Sequence, residues 1–142
     1  MFTKTAQALK NMLRKNIDLR NVQADFLGSV FDAGTLEIYT GTQPADPNSA
    51  PTGTLLCTIT LPNPAFGAAV AGVVTKAGTW ADTATDTGTA GWARFISAST
   101  DETFDVVVTE DPLDNELLIN SADITIGNTV TVISLTVTIP QD

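Results

Sequence analysis

The side chains able to do chemistry are an unusual selection in this sequence. There is no histidine, against sixteen aspartates and glutamates, one cysteine and two tryptophans. Without imidazole the chain lacks the commonest general base, the usual nucleophile triads and most zinc ligand sets. Carboxylates can still work as a pair across a glycosidic bond, but none of these stands in a recognisable setting. No GxGxxG or Walker pattern is present either. The turn Glu110-Asp-Pro-Leu-Asp-Asn-Glu116 offers oxygen ligands for calcium, yet it lacks the EF-hand spacing, and a solvated charged turn is the simpler account. Cys57 lies in an alternating apolar run, where a small buried hydrophobe is expected rather than a nucleophile. We therefore assign no catalytic residue, cofactor or metal from the sequence, and expect a protein that is not an enzyme.

What the chain does offer is a candidate contact stretch, Gly88-Thr-Ala-Gly-Trp-Ala-Arg-Phe-Ile-Ser97. As a strand it points Ala93 and Phe95 to one face and Trp92, Arg94 and Ile96 to the other. Apolar bulk on both faces predicts a strand covered on both sides. One cover is its own core; the other is a neighbouring element or another subunit. A central strand with a partly exposed tryptophan fits equally well.

Charge divides the chain in two. The first twenty residues carry five cations (Lys4, Lys10, Arg14, Lys15, Arg20) against Asp18, whereas the remainder carries two against fifteen acids, for a net charge of −9. An acidic body argues against sequence-independent nucleic-acid binding, which needs a basic surface to displace counterions. The basic head suits an acidic protein surface, or is simply a solvated helix face. No run of about 18 apolar residues exists, so no membrane helix is expected. The opening Met1-Phe-Thr-Lys-Thr has no apolar core of a secretory signal. A single cysteine excludes an intrachain disulfide framework and fits synthesis in a reducing cytoplasm.

The elements that would position these residues follow from periodicity. Phe2, Ala6, Leu9, Leu13 and Ile17 recur at helical spacing, which predicts an amphipathic helix over residues 3–15 with a lysine-rich opposite side. So short a helix needs something to rest on, either its own domain or a neighbouring subunit. Residues 16–34 are mixed and end in the turn signal Asp32-Ala-Gly34. From Thr35 the pattern becomes short strands punctuated by Gly, Pro, Asn and Asp. Strands are expected at 36–40, 54–61, 66–74 (bent at Gly72), 91–97, 104–108, 117–119, 124–126 and 129–139. The polar, proline-rich loop 41–53 and the Trp80 loop 78–90 are the long connections. In the last run Val130 and Val132 have one parity while Ile133, Leu135, Val137 and Ile139 have the other, which marks a bulge or a bend from one sheet into another. Together these features predict an all-β fold: a two-sheet antiparallel sandwich, jelly-roll-like, over residues 34–142, with an N-terminal helix and arm over 1–33.

Several segments, taken in order, carry a family likeness. Gly34-Thr-Leu-Glu-Ile-Tyr-Thr-Gly-Thr-Gln-Pro44, Gly53-Thr-Leu-Leu, Pro64-Ala-Phe-Gly67, Gly88-Thr-Ala-Gly-Trp92 with Arg94, and the closing Ser-Leu-Thr-Val-Thr-Ile-Pro140 resemble small structural proteins of tailed-bacteriophage virions. The resemblance covers about residues 34–140 and implies a β-sandwich that assembles on the particle. It implies a head cement or decoration protein bridging capsid subunits, or a tail, neck or fibre-anchoring protein of the same virion. The expected partners are the major capsid protein or other virion proteins and further copies of the chain, with no nucleic acid and no membrane. A carbohydrate-binding module using Trp80 or loop 41–53 is a lesser alternative. Phe2, Leu9, Leu13 and Arg14 of the arm, with Trp92 and Arg94, are the expected contact residues.

Overall fold

The computed structural model of the protein describes residues 13–113 and 115–141. Its one described helix, α1 (Ile17–Val30), lies where the sequence reads as mixed. Residues 13–16 are not helical, which corrects the end of the helix expected over 3–15; residues 1–12 lie outside the described residues. Asn16 explains why the helix starts late. Its extended backbone stops the helix there, and its side-chain oxygen accepts from Leu19 N at 3.0 Å. At the other end Ala33 takes a positive φ of 57°, and Gly34 packs so close to the Ile96 carbonyl that no side chain fits.

The body is mostly β. Among the described residues ten strands follow: β1 (Thr35–Thr40), β2 (Leu55–Thr60), β3 (Val73–Thr75), β4 (Ala81–Thr83), β5 (Gly88–Ile96), β6 (Thr103–Val108), β7 (Glu116–Ile119), β8 (Asp123–Ile124), β9 (Thr129–Ser134) and β10 (Thr136–Thr138). Eight of them form one sheet in the order β2-β1-β5-β6-β7-β9-β4, with β8 added on β5; β3 and β10 make a separate pair. The sheet is mixed rather than purely antiparallel, because β6 and β7 run parallel. It also curls until its two ends meet. Thr85 N donates to Leu56 O at 2.8 Å, and the Cys57 thiol reaches Thr83 O at 3.7 Å. Near-closure of this kind leaves few free strand edges.

Three local features set the inward face. Leu56 bulges out of register with β1, so both Leu56 and Cys57 turn inward. The expected strand over 66–74 instead doubles back at Ala71 and Gly72, whose φ values of 54° and 76° make a tight turn closed by Val70 and Val73. The parity switch of the last run is a change of sheet: Val132 is buried in β9, Ile133 faces out, and Val137 is buried in β10 against β3.

The core fills with aromatic rings. Phe95 stacks on Phe104 at 4.4 Å and meets Trp80 edge-on at 5.8 Å; Phe66 and Phe31 close the cluster. Burying each such side chain is worth about 1.5–3 kcal/mol, which makes this cluster the main anchor of the body. Helix α1 rests on the same cluster through Ala24, Gly28 and Phe31.

Candidate interaction surfaces

Trp92 sits on the outer side of β5, and its cover is the chain's own loop 41–53. The indole stacks on Tyr39 at 4.7 Å and 14°, and the Arg94 guanidinium lies 5.4 Å from the ring. Arg94 then grips Asp105 with two hydrogen bonds, 2.7 and 2.9 Å, and reaches up to the Ser49 carbonyl at 2.8 Å. That last bond ties the loop down. Gly91 lets it come close: a side chain there would run into the Gly41 carbonyl. Trp92 is 0% exposed and Arg94 5%, so both lie inside the chain and neither is on its surface. Their geometry shapes the loop above them. Tyr39 donates to Glu37 at 3.1 Å, and burial, with the Glu37 carboxylate beside it, pushes the phenol up to about 12.

The arm residues named from the sequence divide. Phe2 and Leu9 lie outside the described residues; Leu13 and Arg14 are exposed on the non-helical approach to α1. Lys15 holds that approach to the chain's other end, donating from N to Gln141 O at 3.0 Å and from Nζ to Pro140 O at 3.2 Å.

Helix α1 packs on the core through Ala24, Gly28 and Leu27. Three of its polar side chains also bind the body. Arg20 donates to Ile139 O (3.0 Å) and Ala71 O (3.3 Å), while Asn21 accepts from Gly72 N (2.7 Å) and Asp25 from Ala69 N (2.6 Å). Apolar side chains also face water: Leu19, Val22 and Phe26 stand at i, i+3 and i+7, with Val22 64% and Phe26 71% exposed, beside the exposed Asp18, Gln23 and Ser29. Beside Phe26 runs a shallow groove of about 280 Å3, floored by Leu27, Val30 and Phe104 and edged by Glu102. Hydrogen bonds from Ser97 and Ser99 hold the Glu102 carboxyl below its ordinary range, so this rim is anionic.

Val107 on β6 and Ile133 on β9 are exposed apolar side chains, and Leu113 is exposed at an open depression of about 540 Å3 whose other lining residues are Pro112, Glu116, Ser134 and Thr136. It shares no lining residue with the α1 groove. Sequence reading missed both surfaces, although the spacing of Leu19, Val22 and Phe26 is a visible signal for the first.

The remaining candidates are used up within the fold. Trp80 is fully buried against Phe66 and Phe95, so it offers no stacking platform to a sugar. The Cys57 thiol is buried and pushed up to about 11 by burial and by Asp82. In the acidic turn, Glu116 accepts from Leu113 N at 2.8 Å, and among the described residues no three acidic or cysteine side chains gather in a metal-binding group.

Compared with known proteins, the chain matches no family model, no curated protein and no solved structure.

Proposed function

We propose that this chain is a structural subunit of a tailed-bacteriophage virion, a cement or decoration protein of the head that bridges capsid subunits. The observation that carries the reading is that large apolar side chains stand exposed in two separate places on one β body, Leu19, Val22 and Phe26 on α1 and Leu113 at the depression beside β7. Exposed large apolar side chains mark candidate contacts when they group, and a bridge needs two separate grips. The segments of residues 34–140 that resemble virion proteins, and the acidic body, support the same reading. Its partners are then the major capsid protein or other virion proteins together with further copies of itself, and its place is the particle, after synthesis in the host cytoplasm.

The jelly-roll-like, two-sheet form of the body belongs to this proposal. The hand-over from β9 in the large sheet to β10 in the small one supports it. A tail, neck or fibre-anchoring role on the same virion is separated by abundance: a cement matches the capsid protein in copy number, whereas a neck or tail-tip protein forms one small ring. The test is heat-induced genome release from particles with and without this protein. A cement lowers the release in complete particles; equal resistance in both sets contradicts the bridging role.

A further inference from the structure

Loop 41–53 leaves the sheet and returns to it at one place. Thr40 N donates to Thr54 O at 3.0 Å, and Thr40 Oγ1 accepts from Thr54 N at 2.8 Å, so the two ends are tied side by side. Just inside that tie stand Gly41 and Gly53, with φ values of 83° and 85°, a region that glycine enters and leaves freely. The rest of the loop is bonded to itself. Thr52 Oγ1 donates to Thr42 O at 3.2 Å. At the tip the Asp46 carboxylate accepts from Asn48 N (2.8 Å) and Nδ2 (3.0 Å), and the Asp46 carbonyl accepts from Ser49 N (2.9 Å). Pro44, Pro47 and Pro51 stiffen the path by fixing their own φ. A compact loop with joined ends and internal bonds is a unit that can move as one piece.

Little holds this piece down. From the strands beneath, Arg94 reaches the Ser49 carbonyl, while residues 45–53 stay exposed to water. Breaking that bond strands no charge, because Arg94 keeps both of its bonds to Asp105 within the sheet. The closed arrangement also leaves two buried polar atoms, Trp92 Nε1 and Gln43 Oε1, without a partner in the chain, which works against closure. We propose that loop 41–53 is a flap that swings about Gly41 and Gly53 while the sheet stays folded, covering and uncovering Trp92 and Tyr39. Opening returns the two unpaired atoms to water. Trp92 stands opposite the exposed Val107 in the β5–β6 register, so an open flap joins the Tyr39–Trp92 stack and that side chain in one strip. Trp92 and Arg94, expected from the sequence as contact residues, are then hidden or presented according to the position of the flap. The device belongs to the free chain and does not rest on the virion reading.

The test is hydrogen exchange at the two indole N–H groups of the full chain, followed by NMR. Trp80 and Trp92 are both fully buried and neither Nε1 has a partner in the chain, so Trp80 in the core is the internal control. The Trp92 N–H is expected to exchange at least about a hundredfold faster than that of Trp80. Its rate should hardly change in low urea, since a moving flap exposes little surface, whereas the Trp80 rate should climb steeply, as global unfolding does. A shortened chain, with residues 42–52 replaced by an Asn-Gly hairpin turn, should release Trp92 to nearly the rate of a free indole and leave Trp80 protected. If the two wild-type indoles exchange at one rate with one urea dependence, the loop opens only with the whole fold and the proposal is overturned. Continued protection of Trp92 in the shortened chain overturns it as well, because the loop is then not its cover. Neither result touches the copy number of the protein on a particle, so the virion proposal stands or falls separately.

Discussion

Arg94 and Asp105 face each other across β5 and β6, joined by two parallel hydrogen bonds of 2.7 and 2.9 Å with both side chains almost fully buried. The remaining guanidinium edge holds the Ser49 carbonyl. One ion pair thus fixes the strand pairing and the loop above it. A fork-shaped cation is required, because a lysine ammonium cannot make both parallel bonds and still reach the loop.

Removing one partner leaves the other charge buried. Arg94→Met is therefore expected to cost about 3–5 kcal/mol, while the double change Arg94→Met with Asp105→Leu recovers most of that loss. Urea unfolding of the two variants measures it. A double variant as unstable as the single one contradicts the account.

Gly91→Ala should unseat loop 41–53 without breaking β5. The new methyl group runs into the Gly41 carbonyl, so the loop must lift from Trp92 at a cost of about 1–3 kcal/mol. Tryptophan fluorescence reads the change as a red shift when water reaches the indole. An unshifted spectrum means that the loop does not cover Trp92 as described.

Helix α1, bonded to the body by polar side chains and exposing Phe26, makes an unusual pair of expectations. Asn21→Ala and Asp25→Ala each strip a hydrogen-bond acceptor from a backbone N–H of the 65–72 segment and should cost about 1–2 kcal/mol. Phe26→Asp on the outer side should change the stability of the protomer by under about 0.5 kcal/mol. Thermal or urea unfolding at a concentration too low for association compares them. The opposite order, with the aromatic change the more damaging, would mean that α1 packs by its other face.

Alkaline solution should weaken the fold in a defined window. Tyr39, raised from 10.0 to about 12, and Cys57, raised from 9.0 to about 11, both keep their protons in the folded chain after the unfolded chain has lost them. Their contribution is complete below about pH 9 and is lost as pH rises through 9 to 12. Tyr39→Phe should flatten the part of this decline above pH 10. An identical pH profile for that variant rules out the phenol as a cause.

Strand positions were largely legible because alternation is a local signal: Leu36 and Ile38, or Val106 and Val108, show their buried parity directly. Whether Trp92 is covered stays open in the sequence, where a partly exposed ring fits equally well; in the structure it is buried, next to loop 41–53 of the same chain. Helix α1 was not legible, since it presents apolar residues on two sides, Ala24 and Leu27 inward and Leu19, Val22 and Phe26 outward, which blurs any single stripe. The parallel pairing of β6 with β7 was equally hidden, because residue periodicity carries no strand direction. The turn at Ala71 and Gly72 is half-visible: a glycine in an apolar run signals a bend, but only the neighbouring positive φ of Ala71 makes it a reversal.

The claim on which the whole reading depends is that this β body acts by being held in a larger assembly. The most direct measurement of the proposal is the number of copies per particle, by quantitative mass spectrometry of purified virions of a tailed phage whose genome carries this sequence. The account predicts a fixed stoichiometry comparable to that of the major capsid protein, reduced in a variant that carries aspartate at Val22 and Leu113. Particles that contain none of this protein would contradict it.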